Sequence, residues 1–213
     1  RERRAALGQP MEEKLVANRG EAVRIATTLV VVLLLGVPVL AGAQAAGQPE
    51  VFTGTAQVKN ATGAVSGTLE VRLRRVTPEF DRKAVETALK EGGYPRFLIA
   101  IRNAPEVGQL VLGGGAPFSI RYASERAGGG GRRLVLVTDK PVYFVGGGRA
   151  DASVEARKGF EVAVIEILLD AKGAGSGSMA AAARVRPDGD GGVLLDDFAE
   201  QLITLSNIAR KPS

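Results

Sequence analysis

"FEVAVIEILLDAKGAGSGSMAAAARVRPDGDGGVLLDDFAEQLITLSNI", residues 160–208, decides the fold class that the sequence predicts. It opens with an apolar run at 160–170 that has the length of a strand and is apolar enough to lie centrally in a sheet. Gly and Asp then cluster at 171–175 and at 187–192, and each cluster predicts a turn between strands. Because these connections are too short for parallel crossovers, the pattern predicts an antiparallel meander.

The preceding half of the chain continues the same pattern. Residues 51–58 and 66–76 predict a first hairpin, and residues 118–126 and 132–139 predict another across the glycines at 128–131. About eight to ten strands of this kind either close into an up-and-down barrel or split into two packed sheets. The predicted fold class is therefore mainly β (α+β), an antiparallel meander that forms a barrel or a sandwich, and we favour the barrel.

A helical insertion interrupts the strands at about residues 77–103, after the second strand. Thr77 is a suitable N-cap, Pro78 fits the first turn, and Gly92 or Gly93 can end a first helix before Pro95 starts a second. The apolar side chains of the first helix fall on one stripe, and its charged side chains, Glu86 among them, face away. This pattern predicts a helix that docks on the sheet or closes a barrel end, and we interpret it as a structural plug. The predicted stripe consists of Phe80, Ala84, Val85, Ala88 and Leu89.

The first 43 residues have the pattern of a targeting segment. Residues 1–10 precede the first methionine and resemble an upstream extension of the reading frame, whereas residues 11–43 have the basic start, the apolar run from Leu29 to Leu40 and the small-residue end of a signal peptide. An A-x-A pattern predicts a mature chain that begins at Gln44 or Ala46, so that residues 44–213 form a single β domain. The apolar run also approaches the length of an uncleaved membrane anchor.

We therefore expect a periplasmic or secreted bacterial protein whose membrane contact is limited to the signal segment before cleavage. Lipidation is excluded because the chain has no cysteine.

Composition removes most enzyme classes. The chain has no His, Cys or Trp, so it contains neither the commonest general base nor a thiolate nucleophile nor the soft metal ligands. We expect no cofactor and no metal, and we expect a binding protein rather than an enzyme.

The net charge of the predicted mature chain is small. The whole chain has 28 basic and 23 acidic side chains, and residues 1–43 hold six of the basic and four of the acidic ones, which leaves a net charge of +3. Such a weak field predicts no nucleic-acid partner, and the Arg132-Arg133 pair reads as part of a solvated strand face.

Glu166 is the acidic residue that attracts attention, because it interrupts the most apolar strand. If it is buried, it requires a partner such as Arg121, Tyr122 or Arg184, and we take these four residues as low-ranking ligand-binding candidates with no catalytic set among them. Asp188 and Asp190 resemble the start of a calcium loop, but the later ligand positions fail. The loop from Gly146 to about Gly159 is the better candidate for a functional rim.

Three stretches together resemble a family of exported bacterial proteins of unknown function. They are the helix from Thr77 to Gly93, "RRLVLVTDKPVYF" at 132–144, and the run from Val164 to Leu205. The resemblance spans about residues 52–208 and implies a secreted or periplasmic domain, without catalytic or binding residues to carry over. This chain departs from the family after residue 144, where "VGGGRADASVEARKG" replaces aromatic and charged residues.

Two classes of function follow as hypotheses. The first is a non-enzymatic envelope domain that binds a small apolar or amphipathic ligand or an envelope protein. The second is a carboxylate-based hydrolase around Glu166, and an envelope assembly component is a further alternative.

Overall fold

The computed structural model describes residues 49–60, 63–128, 130–142, 158–189, 191–199 and 201–212, with Asn60 described by its backbone alone. The predicted upstream extension, the signal peptide, Asp190 and residues 146–157 of the predicted rim loop lie outside the described residues. Within the described part, no helix has the length and apolar character needed to cross a bilayer.

Eight antiparallel strands close into a barrel in the circular order β1-β2-β3-β4-β5-β6-β7-β9, and β8 pairs with β7 outside this circle. This arrangement confirms the mainly β fold with a helix after the second strand, and the open choice between barrel and sandwich is settled as a barrel. The described elements are β1 (Glu50–Asn60), β2 (Gly63–Leu73), α1 (Glu79–Asn103), β3 (Gly108–Leu112), β4 (Phe118–Gly128), β5 (Gly131–Thr138), β6 (Val162–Leu169), β7 (Ala174–Pro187), β8 (Val193–Phe198) and β9 (Ile203–Arg210).

The interior of the barrel is filled by side chains. Successive side chains of a strand point to opposite faces, so every barrel strand sends one set inward, and these sets form one buried cluster. Leu134 and Leu136 of β5 and Ile165 and Ile167 of β6 are fully buried members of it. Gly175 of β7 lets the strands approach closely at this corner, because a Cβ there would overlap the carbonyl oxygen of Leu168.

The helix α1 packs on the outer face of the barrel. Gly93, at φ 63°, breaks it into two segments, as the sequence predicts, and Pro95 lies at the start of the second. Its buried residues Val85, Leu89 and Phe97 join a second apolar cluster with outward-facing residues of β4 to β7. The helix therefore docks on the sheet, and the interpretation as a plug of the barrel end is wrong.

Two details of the helix start also differ from the prediction. Pro78 is the N-cap and makes no side-chain cap hydrogen bond. Thr77 instead binds β4: its hydroxyl oxygen accepts the N–H of Ala123 at 2.8 Å, and its own N–H donates to the Ala123 carbonyl at 2.9 Å. Phe80, predicted on the buried stripe, is 84% exposed, while Glu86, predicted to face away, is turned toward β4.

An arm formed by the end of β7 and by β8 completes this outer layer. β7 pairs with β9 up to Met179 and then with β8 from Ala183. We call residues 184–198 the β7–β8 arm. Its residues Val185 and Val193 belong to the same outer cluster as the helix, so helix and arm together cover one side of the barrel.

Candidate functional site

Glu166 lies on the outer face of β6 and is paired with Arg133 of the neighbouring strand. The guanidinium donates from Nε to Oε1 at 2.8 Å and from Nη2 to Oε2 at 3.0 Å, so both carboxylate oxygens are engaged. Arg133 is not one of the three partners that the sequence suggested. The reason is that β5 lies beside Glu166, whereas Arg121 and Tyr122 are on β4 and Arg184 is near the end of β7.

Arg121 and Arg184 hold local structure. Arg121 donates to Asp139 at 3.0 Å and to the carbonyl of Ala104, just after the helix, at 3.1 Å. Arg184 lies over the ring of Phe160, with 5.1 Å from its guanidinium carbon to the ring centroid. The four candidate residues therefore do not converge on one site.

Tyr122 is fully buried between β4 and the helix. Its hydroxyl donates to Glu86 Oε1 at 2.9 Å, and the same oxygen lies 3.3 Å from Arg82. Burial raises the pKa of Tyr122 well above its ordinary value, and the neighbouring charge of Glu86 adds to the shift. This group is a neutral hydrogen-bond donor over the physiological pH range, which suits a structural role.

Tyr94, beside the kink in α1, is a second buried hydroxyl. It accepts the N–H of Glu161 at 2.8 Å and donates to the carbonyl of Ala183 at 2.9 Å. Burial is again the main cause that raises its pKa. Glu161 Oε2 is a buried oxygen for which the described residues provide no hydrogen-bond partner.

A groove of about 700 Å³ crosses the ends of β4, β5, β6 and β7 near the two hairpin turns. We call it the arginine groove, because three arginines of the β4–β5 hairpin contribute to its wall. Its charged and apolar lining includes Arg126, Arg132, Arg133, Leu168, Leu169 and Asp170.

Each of these arginines is held in place by a carboxylate. Arg126 donates to Asp188 of the β7–β8 turn at 2.5 Å, and Arg132 donates to Glu50 at 2.6 Å. The hydrogen bonds that Arg133 donates to Glu166 raise the pKa of Arg133. A guanidinium has five N–H donors, and these bonds use one or two of them in each case. Arg126 and Arg133 are therefore oriented in advance and keep donors for a second acceptor, whereas Arg132 also lies 3.5 Å from a second carboxylate, Glu125.

The lining combines charged and apolar groups. Three arginines and Asp170 belong to it, and each arginine is paired with a carboxylate that lies outside the lining. Leu168, on the outer face of β6, is 50% exposed beside these charges. Guanidinium groups recognise carboxylate and phosphate with two parallel hydrogen bonds, and the leucine offers an apolar contact. The groove thus has the chemistry to bind an anion that carries an apolar part.

The sequence contained a signal for this groove, but we interpreted the arginines as part of a solvated strand face. Arg126, Arg132 and Arg133 flank the predicted turn at 128–131, so the hairpin alone places three arginines at one end of the sheet. The contribution of Leu168 from another hairpin becomes visible only when β5 pairs with β6. No group of three or more acidic side chains that could hold a metal ion occurs in the part of the chain that the structure describes.

Comparisons with known proteins add no assignment. A scan against protein-family models finds no match, and searches of curated proteins and of solved structures find none either. The resemblance to exported bacterial proteins stays a prediction.

Proposed function

We propose that this chain is an exported, non-enzymatic bacterial envelope domain that binds an amphipathic anion in the arginine groove. One observation carries the proposal: Arg126 and Arg133, each oriented by a carboxylate, and the half-exposed Leu168 line one groove on the outer face of the barrel. The volume of about 700 Å³ is that of a small-molecule pocket.

The groove supports two kinds of contact with such a ligand. Arg126 and Arg133 face it from the outer surface of adjacent strands, and together they suit a carboxylate or phosphate group. Leu168, half-exposed on the outer face of β6, suits an alkyl chain of the same ligand. Because a cluster of buried apolar side chains from the described strands occupies the barrel interior, we place binding on the outside of the barrel.

The hydrolase alternative has less support from the geometry. Both oxygens of Glu166 accept hydrogen bonds from Arg133, so neither is directed at a substrate. A two-carboxylate mechanism needs a second acid at a defined separation across the scissile bond. Of the other acids near the groove, Asp188 is bound to Arg126, and Asp170 accepts the backbone N–H groups of Lys172 and Ala174.

The export part of the proposal rests on the N-terminal sequence. The apolar run from Leu29 to Leu40, followed by small residues, is the pattern of a cleaved signal peptide. Expression of the full chain in a bacterium, followed by periplasmic extraction and intact-mass measurement, tests it. We expect a mature chain that begins at Gln44 or Ala46, and a chain retained in the cytoplasm with its N-terminus intact would contradict export.

Binding is tested with a fluorescent fatty-acid probe, 11-(dansylamino)undecanoate, and with its methyl ester, which has the same chain without the charge. We expect a rise in dansyl fluorescence with the acid, a weaker response with the ester, and weaker binding at high salt because the partners are charged. Fluorescence that rises equally with acid and ester would mean that the arginines play no part.

Substitutions locate the binding site. Arg126→Gln removes one charge-assisted contact, worth about 1.5–3 kcal/mol, so we expect Kd to rise about tenfold or more. Leu168→Ala removes apolar contact and should weaken binding less strongly. Arg72→Gln is the matched control, because Arg72 is also paired with a carboxylate, Glu70, but lies on β2 away from the groove. Equal losses in Arg126→Gln and Arg72→Gln would contradict the assignment of the groove.

A further inference from the structure

A short stretch of β2 presents an open strand edge. β2 pairs with β1 over its whole length, from Gly63 to Leu73, but with β3 only from Leu69 onward. Residues 63–67 therefore have a partner strand on one side alone among the described residues. The β3–β4 turn reaches this edge at one point, where the N–H of Gly113 donates to the carbonyl of Thr68 at 2.8 Å.

The direction of that bond shows which backbone groups face outward. In an antiparallel ladder, alternate residues direct both N–H and C=O to the same side. Because the Thr68 carbonyl points away from β1, the N–H and C=O groups of Ala64 and Ser66 point away from β1 as well. The open edge thus offers two donors and two acceptors in regular array.

The residues of this edge carry neither of two features that keep strand edges apart, a charged side chain and a proline. "GAVSG", residues 63–67, contains no charge and no proline. β8, which also has an open edge among the described residues, is protected by a bulge around Asp196 and by the adjacent exposed carboxylates of Asp196 and Asp197.

We propose that residues 63–67 of β2 pair with the same residues of a second copy of this chain, antiparallel and about a two-fold axis. The segment is self-complementary in this register. Val65 lies opposite Val65 of the second copy, Ala64 lies opposite Ser66, and Gly63 lies opposite Gly67. The two Ala64–Ser66 pairs use all of the outward groups of both residues and make four backbone hydrogen bonds. Small uncharged side chains allow this approach without steric or electrostatic repulsion.

Backbone pairing over five residues is a small interface, so the dimer is weak. Sedimentation velocity of the full chain from about 10 µM to about 1 mM is the appropriate measurement, because an interface far below the standard size populates a dimer only at high concentration. We expect a sedimentation coefficient that rises with concentration. A coefficient that stays at the monomer value over the whole range overturns the proposal.

Two substitutions locate the contact. Ser66→Pro removes an N–H that points away from β1, so the hairpin keeps its own hydrogen bonds while the dimer loses two of its four; we expect association to weaken at least tenfold. Ser66→Thr keeps the N–H and is the matched control. Circular dichroism of both variants is the check that they fold. Association of Ser66→Pro as strong as that of Ser66→Thr overturns the assignment of this edge.

A cysteine at the centre of the edge tests the register. The chain has no cysteine of its own, so Val65→Cys is unique. Directly opposite residues of a non-hydrogen-bonded pair have Cα atoms about 4.5 Å apart, within the range of a disulfide. We expect mild oxidation to give a covalent dimer with Val65→Cys and little with Lys59→Cys, which lies on β1 of the same hairpin. Equal cross-linking of the two variants overturns the proposed register.

Discussion

Tyr122→Phe removes one hydroxyl from the layer between the barrel and the helix and leaves the buried ring in place. The hydroxyl donates to Glu86 at 2.9 Å, and a hydrogen bond to a charged group contributes about 1.5–3 kcal/mol. Glu86 keeps Arg82 at 3.3 Å, and its side chain is 15% exposed, so water can replace part of the loss. We therefore expect the free energy of unfolding at pH 7 to fall by about 2 kcal/mol.

The same substitution should change how stability depends on pH. An unfolded tyrosine loses its proton near pH 10, whereas burial raises the pKa of folded Tyr122 well above that value. A raised folded pKa means that its contribution to stability is fully present below about pH 10 and is lost as pH rises toward the folded pKa. By pH 11 ionisation of the unfolded tyrosine costs the wild type about 1.4 kcal/mol that Tyr122→Phe does not lose.

Urea unfolding at pH 7, 9 and 11 measures this effect. Circular dichroism is the suitable signal because the chain has no tryptophan. We expect the stability difference between the wild type and Tyr122→Phe to shrink from about 2 kcal/mol at pH 7 to about 0.6 kcal/mol at pH 11. Phe80→Ala, at an 84% exposed site, should follow the wild type at every pH. A difference that stays constant from pH 9 to pH 11 would refute the reasoning, since Tyr122 would then titrate alike in both states.

Three further predictions use the same unfolding assay. Phe97→Ala should lower the free energy of unfolding by about 3–5 kcal/mol, because Phe97 is fully buried between helix and barrel. Ile99→Ala, at a 61% exposed site, should cost about 1 kcal/mol or less. Similar losses in the two variants would contradict the apolar cluster between helix and barrel. Gly175→Ala should lower the free energy of unfolding by about 1–3 kcal/mol, because the added methyl group would overlap β6. Gly128→Ala, whose methyl group meets open space, should change it by no more than about 0.5 kcal/mol. A neutral Gly175→Ala would mean that β6 and β7 can separate at this point. Thr138→Val should cost about 1–3 kcal/mol because the hydroxyl accepts a buried N–H of β6 at 2.9 Å, and an unchanged urea midpoint would contradict that bond.

The sequence predicted the elements of the fold better than their contacts. Alternation of apolar residues and glycine-rich turns located the hairpins, and Gly93 with Pro95 located the break in the helix, because these signals act within a few residues of the chain. The stripe on the helix was a weaker guide. Phe80 lies on it and is 84% exposed, because a position on the apolar stripe does not by itself decide which residues the barrel covers.

The candidate site depended on pairing between strands far apart in sequence. The sequence correctly singled out Glu166 as a charge within an apolar strand. Its partner depends on which strand lies beside β6 in the barrel; that strand is β5, which carries Arg133. Leu168 likewise joins the arginines only because the β4–β5 and β6–β7 hairpins lie side by side.

The sequence alone determined a β meander with one kinked helix, the absence of histidine and cysteine chemistry, and an N-terminal segment with the pattern of a signal peptide. The tertiary structure decided that the meander closes into a barrel, that the barrel is filled, and that the helix covers its outer face. The division has a physical reason. Turn chemistry and residue periodicity are local, whereas barrel closure and the grouping of three arginines beside a leucine depend on which strands pair across long distances in the chain.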